Sequence, residues 1–92
     1  METMRTKRNM MTPAIAALIG TGNVSAARFA ANAPRFIGNP EPSMIIGRPD
    51  ITSEYFEDRG RTLVMPVSTD CPKLYACQNE TGGVTIMLPE EY

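Results

Sequence analysis

Residues 62–88, TLVMPVSTDCPKLYACQNETGGVTIML, carry the clearest structural signal in the chain. Leu63, Met65 and Val67 alternate with Thr62, Val64 and Pro66. Leu74 and Ala76 alternate with Tyr75 and Cys77, and Val84, Ile86 and Leu88 alternate with Thr85 and Met87. Alternation with period two is the mark of a strand with one face toward a core. The intervening stretches 68–72 and 79–83 have turn composition. The reading is a three-stranded antiparallel meander in sequence order, with Leu63, Met65, Val67, Leu74, Ala76, Val84, Ile86 and Leu88 on one face. Pro66 then belongs at an edge or a bulge, because it has no amide to donate.

Such a sheet is stable only if that face is covered. The cover has to come from the segment 12–33 or from another chain. Thr12-Pro13 is a helix start, a hydroxyl cap followed by proline in the first turn. Residues 13–19 fit two helical turns ended by Gly20, and a second helix over 24–32 starts at Asn23 and ends at Pro34. Its apolar face reads as Val24, Ala27, Phe29, Ala30 and Ala31. Residues 34–50, PRFIGNPEPSMIIGRPD, hold four prolines and two glycines. This stretch reads as a linker or extended strap, with 44–46 as a short strand. Residues 52–59 fit a short helix or a strand entering a turn. The expected class is α+β: short N-terminal helices, a Pro-rich strap and a C-terminal three-stranded antiparallel meander. The expected division is a basic arm (1–11), a helical segment (12–33), a linker (34–50) and a small β body (51–92).

The chain has 92 residues, no Trp, and only three Tyr and three Phe. A chain this short buries only about 60–65% of its unfolded surface, so partner surface would help it. The net charge of −1 conceals a split. Residues 1–40 hold Arg5, Lys7, Arg8, Arg28 and Arg35 against Glu2, giving +4. Residues 41–92 hold four cations and nine acids, giving −5. This pattern suggests a basic arm on an acidic body. The arm sets Met10 and Met11 beside Arg5, Lys7 and Arg8, flexible apolar side chains next to cations, and these five are the expected partner-binding residues. Three cations without interleaved aromatics make a small footprint for nucleic acid, which is not an expected partner.

Histidine is absent, which removes the Ser–His–Asp and Cys–His constellations and the commonest metal ligand. Cys71 and Cys77 alone do not close a structural zinc site, and their spacing is not that of a C-x-x-C redox pair. They are either a local disulfide across a turn or two unrelated thiols. Two sequons, at Asn23 and Asn79, carry no weight without secretion. The longest apolar run, 14–19, is too short to span a membrane. Basic residues 1–10 and the small-residue site 24–26 suggest a secretory leader. The apolar stretch between them is short and interrupted by Gly20 and Gly22, so no cleaved signal is expected.

Residues 14–30, AIAALIGTGNVSAARFA, resemble the dinucleotide-binding fingerprint of the Rossmann family. The resemblance implies a strand over 14–19, a tight turn at Gly20, pyrophosphate approach at Gly22, and Glu41 at the ribose. It departs at Ser25, where Gly or Ala is expected, and at Pro34, which shortens the helix. The alternative is helix, Gly-x-Gly, helix, and the brevity of the chain favours it. The functional expectation is a non-enzymatic structural or accessory subunit of a large assembly, a virus or phage particle first, in a virion or the cytoplasm. It would contact other protein subunits, with no cofactor, metal or small-molecule substrate. The alternatives are a small acidic inhibitor or regulator of one protein, and a dinucleotide-binding fragment.

Overall fold

The computed structural model describes residues 8–38 and 41–92. Two helices, α1 (Pro13–Gly20) and α2 (Val24–Phe36), lie on a six-stranded mixed sheet. The strands are β1 (Met10–Met11), β2 (Met44–Arg48), β3 (Tyr55–Glu57), β4 (Thr62–Pro66), β5 (Leu74–Gln78) and β6 (Val84–Met87). Their order across the sheet is β1-β6-β5-β2-β4-β3. The class is α+β, as expected.

The helix starts follow from their caps. The Thr12 hydroxyl accepts from the Ile15 amide, with Pro13 in the first turn. Asn23 Oδ1 accepts from the Ala26 amide at 2.9 Å. Between the helices Gly22 has φ +97°, a left-handed conformation that glycine adopts without Cβ strain. The second helix runs past Pro34 to Phe36. Proline in the last turn forfeits one amide donor close to an end that is already losing helical bonds, so the helix outlasts it. The buried stripe of α2 is Ala26, Phe29 and Ala33, with Ala30 packed beside them. This is the i, i+3, i+4, i+7 face of a continuous helix. The expected face is therefore rotated, since Val24 is 62% exposed.

Only part of the meander forms. Strands β5 and β6 pair antiparallel, Ala76 opposite Ile86. Strand β4 does not pair with β5; β2 inserts between them, parallel to β4 and antiparallel to β5. The stretch expected to be a linker thus supplies an inner strand of the sheet. Met44, Ile45 and Ile46 are apolar in succession, which suits a strand with neighbours on both edges and apolar side chains on both faces. The connection 67–73 steps over the end of β2, where the Val67 amide donates to the Arg48 carbonyl at 3.0 Å. Pro66 ends β4 and is exposed. Residues 55–57 form a strand, followed by a 3-10 turn over Asp58–Gly60.

The face assignment survives the change of order. Leu63, Leu74, Ala76, Val84 and Ile86 join Ile15, Ala26, Phe29, Ala33 and Ile45 in one core, with Met65, Val67 and Leu88 packed against it. The cover comes from the chain's own helices. Phe29 lies so close to Gly47 that a Cβ there would meet its ring at 3.0 Å and Val67 Cγ1 at 3.0 Å. Glycine lets the helix settle onto the sheet at this point.

Candidate functional site

The other face of the sheet has no helix on it among the described residues. The register places Met44 and Ile46 of β2, Val64 of β4, Tyr75 and Cys77 of β5, and Met87 of β6 on this side, with Tyr55 at the β3 edge. Val64 is fully buried at its centre, while Met44, Ile46, Tyr75, Cys77 and Met87 are half-buried. From the C-terminal turn, the Tyr92 ring meets that of Tyr75 edge-on, centroids 5.6 Å apart. At the rim, Lys73 Nζ lies 5.7 Å from the Tyr75 ring centroid. Arg48 grips Asp50 at 2.5 Å and donates to the Tyr55 hydroxyl at 3.1 Å. The Arg48 hydrogen bond holds the Asp50 carboxyl below the usual range, and the same bond raises the guanidinium. Tyr, Met and Arg over an apolar centre with charge at the rim is the composition of protein-docking surfaces.

The two cysteines lie on opposite sides of the sheet. Cys71 is buried in the helix-side core and Cys77 is half-buried on the helix-free face; both are free thiols. The reading as two unrelated thiols is the one that holds. Burial pushes both thiols up, which disfavours the reactive thiolate.

The expected partner-binding residues divide. Arg5 and Lys7 lie outside the described residues. Arg8, Met10 and Met11 sit on the chain's own sheet, a correction to the expectation that 1–11 stays off this chain's body. Strand β1 pairs parallel with β6, Met11 beside Ile86. The Arg8 carbonyl accepts from Asn79 Nδ2 at 2.8 Å, and the Arg8 amide donates to Thr81 Oγ1 at 3.0 Å. Open backbone groups on β6 supply the reason, since a two-residue strand satisfies some of them. The Met10 and Met11 side chains stay exposed. Both sequon asparagines have structural tasks: Asn23 caps α2 and Asn79 clamps the arm.

The dinucleotide resemblance fails in its context. Residues 14–19 are helical, not a strand, so Gly20 and Gly22 end one helix and lead into the next. Glu41 pairs with Arg61 at 3.4 Å. A groove of about 490 Å³ lies between α2 and β4, lined by Val24, Arg28, Phe29, Met65 and Val67 among others. Among the described residues no helix is long and apolar enough to cross a membrane, and no group of three or more Cys, Asp or Glu stands together as a metal site. Comparison with protein-family models, curated proteins and solved structures finds no match.

Sequence reading missed the helix-free face. Its signal was present in Met44, Ile46, Val64, Tyr75 and Met87, the apolar residues at the alternate positions of strands whose other face was assigned to the core.

Proposed function

We propose that this protein is a non-enzymatic accessory or structural subunit that docks onto other protein subunits through the helix-free face of its sheet. A particle of viral or phage type is the first assembly to consider. The observation that supports this reading is that face: Met44, Ile46, Tyr55, Tyr75 and Met87 around a buried Val64, with no helix or strand of the described residues laid over them and only the Tyr92 ring against Tyr75. An apolar sheet face framed by charge gains free energy when a partner removes it from water.

The test is co-sedimentation from cells that express the chain. The tagged protein should travel with a particle far larger than its own 10.1 kDa. Ile46→Asp should fold but sediment alone. Cys77 gives a second readout from the same face: maleimide should label it in the isolated chain and be blocked in the particle. Equal labelling in both states, with Ile46→Asp still incorporated, would reject the face as the docking surface.

A second reading, a small inhibitor or regulator of one protein, is favoured by a different observation. The core is covered by α1 and α2 of the same chain, so the fold is suited to a free monomer. Stoichiometry separates the two: a regulator forms a one-to-one complex, and a subunit is present in many copies.

A further inference from the structure

We infer that the basic arm of one copy adds to the β3 edge of another copy, joining the molecules head to tail. This rests on the protein-docking reading above and names a second partner surface, the sheet edge.

Strand β3 ends the sheet, and no described strand pairs with its outer side. An edge of this kind offers unpaired amides and carbonyls to an incoming strand. All three of its residues are exposed, Phe56 at 61%. Glu54, Glu57 and Asp58 line the same segment, and none of them makes an ion pair among the described residues. The charges argue against β3 pairing with itself. In antiparallel register about Phe56, Glu54 would face the second copy's Asp58, like charges that destabilise the pair. A basic extended segment fits instead. Residues 1–7, METMRTK, hold Arg5 and Lys7 against Glu2, with Met1 and Met4 to lie against Phe56 and Tyr55.

Geometry makes the contact intermolecular. The arm leads into β1, at the opposite edge of the six-stranded sheet. Five strand spacings of about 4.8 Å put β3 roughly 24 Å away. Seven residues reach at most about 25 Å when fully extended, leaving no length to lie along the strand. The arm therefore reaches a neighbour's β3 rather than its own. A heterologous contact of this kind closes into a ring or extends as a filament.

The test uses the full chain in sedimentation velocity. Glu54→Lys with Glu57→Lys makes the edge basic, and Arg5→Glu with Lys7→Glu makes the arm acidic. Wild type should self-associate, and more weakly in high salt, because these charges lie at the surface. Each variant alone should associate roughly tenfold more weakly or worse. Mixing the two should restore association, since each basic edge then meets an acidic arm and each acidic edge a basic arm. Three results would overturn the inference: a wild type that stays monomeric to about 100 μM, self-association indifferent to both variants, or loss in each without recovery on mixing. Glu57 shares the helix-free side with Tyr55, so recovery on mixing, which damage to that face would not give, is the result that separates this contact from the face tested by Ile46→Asp.

Discussion

Thr12 and Glu91 are joined across 79 positions of sequence: the Thr12 hydroxyl donates to Glu91 Oε1 at 2.8 Å. The same threonine oxygen accepts from the Ile15 amide, and the same carboxylate oxygen accepts from the Leu88 amide at 2.8 Å. One side-chain pair thus caps the first helix and anchors the C-terminal turn. Thr12→Ala should cost about 1 kcal/mol. In a domain of this size that lowers the melting temperature by roughly 4–8 °C. Thr12→Ser should retain most of the stability. Thermal unfolding followed by circular dichroism measures both, and an unchanged midpoint for Thr12→Ala would show that the cap adds nothing.

Gly83 decides whether the arm lies on the body. A Cβ at this position would collide with the Arg8 carbonyl oxygen and carbon, and backbone atoms cannot rotate away as a side-chain tip does. Gly83→Ala should expel β1 while β5 and α2 stay formed. Amide hydrogen exchange should show residues 8–11 losing protection selectively. Asn79→Ala should do the same by a different route, because it removes the donor to the Arg8 carbonyl.

Neighbouring positions on β6 test which face is the core. Ile86 is 2% exposed and faces the helices. Ile86→Asp should cost several kcal/mol, because an aspartate there is buried without a partner. Thr85 points to the helix-free face and is half-buried. Thr85→Asp should cost less than about 1 kcal/mol. Urea denaturation of the pair measures the difference, and equal costs would reject the assignment of faces.

Burial raises the Cys77 thiol in the folded state, so the fold favours the neutral form. The sign follows directly. This contribution to stability is complete below the ordinary thiol range, about pH 8.5, and declines as the pH rises through the higher folded value. Iodoacetamide at about pH 8.5 should alkylate Cys77 several-fold more slowly in the folded chain than in urea. Equal rates would mean that the thiol is not shielded.

Residues that act through their near neighbours were legible in the sequence. Thr12-Pro13 and Asn23 announced both helix starts because a cap is completed within three or four residues. The eight alternating residues from Leu63 to Leu88 share the expected face because strand geometry fixes alternation locally. The end of α2 was misplaced because Pro34 reads as a stop, whereas proline near a helix end breaks only one bond. The arm's seat on β6 was not legible, since it depends on Asn79, Thr81 and Gly83, more than seventy positions away.

The sequence by itself determined the α+β class, the caps, the hairpin of β5 and β6, and which of the alternating side chains from Leu63 to Leu88 face the core. All of these follow from spacing of two or of 3.6 residues along the chain. Only the tertiary structure decided that Ile45 lies between Leu63 and Ala76, so that β2 separates β4 from β5. Strand order is a choice among distant pairings with the same local pattern, which spacing along the chain does not settle. The same choice left Met44, Ile46 and Tyr75 on a face with no helix above it, the face proposed here as the docking surface.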